Sequence, residues 1–411
     1  MIELINSSIG IRPNLLRTAQ TAISQIPHKL HSASHQHREQ ISTRANLWRR
    51  SITKGRESWL IDTAQTPSNS GIATPPVIPE GTTQLNPRQW LTTGNPLLNQ
   101  LVSETIDDRW TVHLEALQQL EPLSDSPAFQ KQWQALKRVN KRVLADRIYD
   151  LQGISIDVDS LFDVQLQAPG KQQRQLLNIL HIITLFNRLK DNPQLDIVPR
   201  TFIFGETESV NYPEETSDSR VTALLIRSLT NILAGDLDVK GRLQVVYLPQ
   251  SAGLNDRIYA AADLTEQIEV AQVADLDLSK LKFAGNGAIS IGSLSKANQI
   301  VQQTVGADNY FAFGLAIPEI ALFKEYGYDP NNYYKYYPEI QQAIDSLLAG
   351  EFTPGYPAAC RSLIDNLFDT DEEMVLADYI FYLTAQAQVS DTYRQQSVWT
   401  KMSIMNVAGL G

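Results

Sequence analysis

Apolar residues recur every three to four positions over Asn95–Ile106, His113–Leu120 and Ser126–Leu151, the spacing that lines one face of a helix. The same period returns at Lys171–Lys190, Arg220–Ala234 and Ser295–Val305, and the chain from Pro318 onward is mostly helical in pattern. Between these lie short β-branched and aromatic runs. ISIDV and then SLFDVQLQ (Ser160–Gln167) follow the third helix. VPRTFIFG (Val198–Gly205), RLQVVYLP (Arg242–Pro249), AISIGS (Ala288–Ser293) and YFAFGLA (Tyr310–Ala316) follow in turn. Strands alternating with helices predict an α/β fold whose parallel sheet is covered by helices on both faces. The most apolar helical stretch, Leu176–Leu189, is interrupted by Asn178, His181 and Asn187.

The first 84 residues have a different character. They are rich in Ser, Thr and Gln and carry four of the six histidines, His28, His31, His35 and His37. The pattern divides the chain into a basic extension (1–62), a Pro/Gly/Ser/Thr linker (63–84) and a regular domain (85–411). Residues 1–60 hold nine Lys/Arg against three Asp/Glu, a charge of +6 within a chain of net charge −10. Leu15, Leu16, Ala19 and Ile23 share one side of an amphipathic helix after Pro13. An Arg-containing, acid-poor start also suits an organellar transit peptide, although Glu3 argues against it. The expected location is the cytoplasm, or an organellar stroma if residues 1–40 are such a peptide. HSASHQH lacks a carboxylate or thiol partner and reads as a polar surface run, so no metal site is expected. Trp48, Arg49, Arg50 and Trp59 combine aromatic and guanidinium groups, the usual anchors of interfaces, and are the partner-binding candidates.

With 43% hydrophobic and 19% charged residues, the composition is that of a soluble globular protein. A single cysteine, Cys360, excludes an internal disulfide framework and any CxxC metal site. No window approaches the roughly 18 apolar residues of a membrane-spanning helix. The acidic body argues against nucleic acid, which needs a clustered basic face. There is no Walker A, HExxH or GxSxG motif, and the GNG at Gly285–Gly287 precedes a strand instead of opening a helix, so it is no dinucleotide fingerprint. Tyr333, Tyr334, Tyr336 and Tyr337 could stack sugars, but packing beside Pro330 and Pro338 is the plainer reading.

The regular domain carries a series of motifs in order: LNPRQWL, SLFDVQ, RQLLN, HIITLFNR, VPRTFIFG, RLQVVYL, AADLTEQI, KFAGNGAISIGSL with KAN, YFAFG, VLADYIFY and WTKM. On these, the chain from Leu85 resembles the C-terminal domain of the glycogen (α-glucan) phosphorylases. The resemblance implies a Rossmann-like domain, one half of the GT-B glycosyltransferase architecture. It also implies a family reaction, phosphorolysis of an α-1,4-glucan to glucose 1-phosphate, with pyridoxal phosphate held as a Schiff base. The family's N-terminal domain and its final returning helix have no counterpart in the pattern.

By this resemblance the Schiff-base lysine falls on Lys282, retained or vestigial. Around it the family's polar set is replaced. The segment before the lysine, a Glu followed by Ala-Ser and a Gly-Thr-Gly loop in the family, here reads Ala274, Asp275, Leu276, Asp277, Leu278, Ser279. The family's Lys-Arg-Ile-His-Glu-Tyr-Lys run reads Gln167, Ala168, Pro169, Gly170, Lys171, Gln172, Gln173. A Gly-Gly-Lys-Ala turn becomes ETESVNYPEETSD, with Glu206, Glu208, Glu214, Glu215 and Asp218. An Asn-Tyr pair becomes Pro249-Gln250-Ser251, and an Asp-Gly pair becomes Ser295-Lys296. Two adjacent phosphates need several cations and backbone donors, and losing them costs orders of magnitude in rate.

The expectation is therefore a phosphorylase-like protein without catalytic residues of its own or an expected cofactor, pyridoxal phosphate at Lys282 being the exception to test. It would act as a protein-interaction, regulatory or structural subunit. Its partner would be a protein, bound through the extension and through the face that the family's N-terminal domain covers, with glucan as a weaker ligand. The alternative is a pyridoxal-phosphate-dependent glucan phosphorylase subunit that needs a separate N-terminal half.

Overall fold

The computed structural model describes residues 93–167, 174–206, 217–248, 254–273, 276–354 and 357–411. Every described residue belongs to one compact unit, which ends at Gly411. The expectations for residues 1–84, including Trp48, Arg49, Arg50, Trp59 and the histidine run, lie outside the described residues.

The elements run as α1 (Pro96–Ile106), α2 (Pro127–Gln152), β1 (Leu161–Gln167), α3 (Gln175–Asp191), β2 (Arg200–Glu206), α4 (Ser217–Gly235) and β3 (Leu243–Leu248). They continue through α5 (Asn255–Ala261), β4 (Leu264–Gln267), α6 (Leu278–Gly285), β5 (Ile289–Ser293), α7 (Lys296–Val305) and β6 (Tyr310–Phe313). Six helices complete the chain: α8 (Ile317–Tyr326), α9 (Pro330–Tyr336), α10 (Pro338–Leu348), α11 (Pro357–Asp369), α12 (Val375–Arg394) and α13 (Gln396–Ala408). The strands form one six-stranded sheet in the order β3-β2-β1-β4-β5-β6, all parallel. This is the doubly wound order, in which the chain reverses direction between β1 and β4.

Two expectations need correction. ISIDV is not a strand. Gly153 ends α2 in the left-handed conformation (φ 70°), and the turn at Asp157, whose carbonyl accepts from the Ser160 N–H at 3.2 Å, brings the chain to β1. Ile156 and Val158 are buried without ladder bonds. The segment expected as an α-helix at His113–Leu120 is a 3-10 helix over Leu114–Leu123 with Pro122 inside it. Proline removes a donor and resists α-helical continuation.

Pleating sends alternate residues to opposite faces of a strand, and the two faces of this sheet differ chemically. One face is apolar. Phe162 and Val164 of β1, Ile203 of β2 and Val246 of β3 pack with Leu144 and Ile148 of α2, Ile258 and Tyr259 of α5, and Phe283 of α6. The other face, under α3 and α12, carries Asp163 and Gln165 of β1, Arg200 of β2 and Glu266 of β4, all buried. Arg200 Nη1 donates to Asp163 Oδ2 (3.1 Å) and Gln386 Oε1 (2.5 Å), and Nη2 donates to Ser390 Oγ (3.1 Å). Gln386 Nε2 donates to Glu266 Oε1 (2.6 Å) and Tyr382 Oη (2.8 Å). Thus α12 is fixed to the sheet by charge and amide groups.

A second core lies between α1, α2 and α13, around Trp110, Leu117, Leu120, Trp133 and Ile404. Trp133 Nε1 donates to Ser403 Oγ (2.8 Å), which donates to the carbonyl of Gly287 (2.6 Å). Lys137 adds a buried ammonium that donates to the carbonyls of Ala260, Ala262 and Asn286 at 2.6–3.3 Å. Burial pushes its pKa down to about 8. Gly287 sits at φ 71°, and a Cβ there would lie 2.6 Å from Ser403 Oγ and 3.0 Å from Trp133. Gly287→Ala is therefore expected to cost about 2–4 kcal/mol, from the left-handed backbone plus overpacking. Urea unfolding checks this, and an unchanged midpoint would contradict the packing described.

Candidate functional site at the switch point of the sheet

In open parallel α/β sheets, ligands bind outside the carboxyl ends of the strands, where the strand order reverses. Here that crevice opens between β1 and β4. The segments 168–173 after β1, 207–216 after β2, 249–253 after β3 and 274–275 before α6 lie outside the described residues. The replaced family motifs fall largely within them, so the site is built from the strand ends and the helices behind.

At the switch itself the groups are neutral and bonded to one another. Asn178 Nδ2 of α3 donates to Gln165 Oε1 (3.0 Å), and Gln267 Nε2 donates to Thr265 Oγ1 (2.8 Å). On one side Arg174, just before α3, is buried. Its Nη2 donates to Asp378 Oδ2 at 2.6 Å and its Nη1 to the carbonyl of Glu373. Asp378 Oδ1 accepts from the N–H of Leu315 after β6 (2.8 Å).

On the other side stands α6, which carries two lysines facing different neighbours. Lys280 is 1% exposed. Its Nζ lies 2.7 Å from Glu269 Oε1 and donates to Asn298 Oδ1 at 2.6 Å. Lys282, in the last turn, is half-buried, with its Nζ 5.5 Å from the centroid of the Tyr259 ring. Its carbonyl accepts from Asn286 Nδ2 (2.8 Å). Asp277 is the N-cap of α6 and accepts from the Ser279 N–H (2.9 Å). This carboxylate, which stands within the segment that replaces the family's Gly-Thr-Gly loop, caps the helix.

A pyridoxal phosphate on Lys282 would need cations gathered at its phosphate. What the described residues place beside Lys282 is an aromatic ring, while Lys280 points to α7 and is engaged by Glu269. The segments 168–173, 249–253 and 274–275, where the family's phosphate and cofactor motifs are replaced, lie outside the described residues. Three of the four tyrosines pack: Tyr333 and Tyr337 stack at 5.9 Å, the Tyr334 ring meets Phe368 at 5.2 Å, and Tyr334 Oη donates to Asp345 (2.7 Å), while Tyr336 is exposed. Among the described residues there is no group of three or more His, Cys, Asp or Glu side chains suited to a metal ion. No described helix is long and apolar enough to cross a membrane.

Sequence reasoning singled out Lys282 and missed Arg174, Asp378, Glu269 and Lys280. Arg174 and Asp378 lie within the motifs RQLLN and VLADYIFY, where they were read only as part of a resemblance. The charge of Glu269 and Lys280 was the one available signal, and nothing in their spacing says that they meet.

The strand order and the crevice at its reversal define a Rossmann-like α/β domain of the kind that binds ligands at strand ends. A family model for carbohydrate phosphorylases matches residues 73–411, and the chain belongs to that family. It is similar to a glycogen phosphorylase of Synechocystis sp., 38% identical over 331 residues, which are 80% of this chain and 38% of that protein. It is 36% identical over 327 residues to a glycogen phosphorylase of Bacillus subtilis, covering 79% of this chain and 40% of that protein. It is 33% identical over 331 residues to the muscle form of Oryctolagus cuniculus, covering 80% and 39%. The chain thus spans about two fifths of the length of the curated relatives it matches.

Proposed function

We propose that this chain is a glycogen-phosphorylase-like domain that does not carry out phosphorolysis and serves as a protein-interaction, regulatory or structural subunit. The observation that carries the reading is the state of the cations at the crevice. Arg174 and Lys280 are each engaged by a carboxylate of the chain itself, at 2.6 Å and 2.7 Å. The replaced cationic and glycine motifs around 167–173 and 274–279 add to it. Phosphoryl chemistry depends on charges held ready for the reacting anion, and these are committed elsewhere. The basic extension with Trp48, Arg49, Arg50 and Trp59, together with the face that the N-terminal domain covers in the family, is the proposed route to a protein partner in the cytoplasm.

The retained Lys282 favours the second reading, a pyridoxal-phosphate-dependent glucan phosphorylase subunit completed by a separate N-terminal half. One experiment separates them. The full chain, purified with pyridoxal phosphate present, is scanned for the internal-aldimine chromophore, reduced with borohydride, and assayed for glucose 1-phosphate from glycogen and phosphate. The expected outcome is no adduct on Lys282 and no turnover above background. Turnover that vanishes in Lys282→Ala, or a native adduct on Lys282, would replace the first reading with the second.

A further inference from the structure

The end of β4, the start of α6 and the start of α7 converge on one carboxylate. Glu269 Oε1 lies 2.7 Å from the buried ammonium of Lys280, and Oε2 accepts from Ser295 Oγ at 3.0 Å. Ser295 is the N-cap of α7, a helix of 10 residues, and its hydroxyl also accepts from the N–H of Asn298 (3.0 Å). The positive end of the helix dipole therefore points at the same carboxylate. The backbone of Glu269 is held in place by Ser293, whose Oγ accepts from the Glu269 N–H (3.0 Å) and donates to its carbonyl (2.6 Å). Asn298 completes the wall, donating to the carbonyls of Gln267 (2.8 Å) and Ser293 (2.9 Å).

One donor in this wall has no partner. Tyr310 is 6% exposed, and its hydroxyl makes no hydrogen bond to the described residues. It lies over Gly292: a Cβ on that glycine would sit 1.9 Å from Tyr310 Oη and 3.0 Å from Asn298 Nδ2. Burial, then the nearby charges of Glu269 and Glu266, pushes its phenol well up, so it stays a donor. A buried unpaired donor costs free energy that a ligand oxygen would relieve. Glu269 keeps 23% of its side-chain exposure, so the place is reached from solvent.

We propose that this cluster is an oxyanion-binding site held shut by the chain's own Glu269 carboxylate, and that inorganic phosphate enters when that carboxylate is removed. A buried lysine, a helix N-terminus with its cap hydroxyl and an unpartnered phenol are the donor set of an anion site, and a tethered carboxylate fills it. The inference goes beyond the proposed function and does not depend on Lys282.

The test is thermal unfolding of the full chain in phosphate and in chloride at matched ionic strength. Phosphate also stabilises folded proteins by exclusion from their surface, so each variant is read against the wild type. Glu269→Ala is expected to gain about 2–4 °C from phosphate beyond the wild-type response, as binding to the native state alone requires. Glu269→Gln, which removes the charge and keeps the side chain, serves if the alanine variant does not fold, and is expected to show a smaller gain of the same sign. In Glu269→Ala/Lys280→Met the gain should vanish. The proposal is overturned if the folded Glu269 variants respond no more than wild type, or if the double variant responds as the single one does. A purely structural ion pair would give destabilised variants indifferent to phosphate, which is that same negative result.

Discussion

Arg200→Leu is expected to lose about 3–5 kcal/mol of stability, the cost of breaking a buried ion pair from one side. The guanidinium is 3% exposed and Asp163 1%, and their contact is 3.1 Å. Removing it leaves Asp163 in the core without its cation. It also strips a donor from Gln386 Oε1 and from Ser390, which together tie α12 to the sheet. Set against a typical stability of about 5–15 kcal/mol, a loss of this size leaves little margin. Urea unfolding at neutral pH measures it. A loss below about 1 kcal/mol would mean that water reaches the layer and that α12 is held by its apolar contacts instead.

The same layer explains which parts of the fold could be read from sequence. β2, β3 and β5 announced themselves because a strand buried on both faces collects Phe, Val and Ile. β4 did not. Its four residues, Leu264–Gln267, include Thr265, Glu266 and Gln267, and composition argues against a buried strand. They are nonetheless buried, because β4 lies between β1 and β5 and its side chains find Gln386 and each other. Asn178 and His181 looked like interruptions of an apolar helix, yet both are contacts. Asn178 bonds Gln165, and His181 lies edge-on to Phe202 and Tyr382 at 6.0 and 5.6 Å. Burial first, then Arg200, holds that imidazole well below its usual pKa, so it packs as a neutral ring.

The candidate site was legible only through motifs. The resemblance located Lys282, the scaffold and the replaced loops. It did not show that Glu269 and Lys280 meet, since that depends on the path of the chain from β4 into α6 and on Asn298 of a third element. Periodicity records which face a residue lies on. It does not record which charges are brought together at the ends of strands, where backbone direction decides.

Raising the pH from about 5 to 7.5 is expected to weaken the wild-type fold relative to Glu266→Gln by about 1–3 kcal/mol. Asp163 Oδ1 and Glu266 Oε2 are both buried without a hydrogen-bond partner among the described residues, and the charge of Asp163 acts on Glu266. We expect the two carboxyls to share one proton, which supplies the missing donor. Burial pushes Asp163 up to about 6 against the pull of Arg200. Burial, with the charge of Asp163, pushes Glu266 well above the usual carboxylate range. The other groups facing the pair are Tyr382 and Gln386 of α12 and the neutral His181 of α3. An unfolded carboxyl titrates near about 4. Between that value and the folded pKa, the native state holds more protons than the unfolded chain, so stability falls as pH rises. The contribution is complete below about pH 4 and is lost as pH rises through about 6 for Asp163 and higher for Glu266. In Glu266→Gln the amide can donate permanently where the proton was shared, and Asp163 is free to ionise against Arg200, so the variant should lose this slope. Urea unfolding of both proteins across the range compares them directly. Parallel curves would show that the two carboxyls do not share a proton.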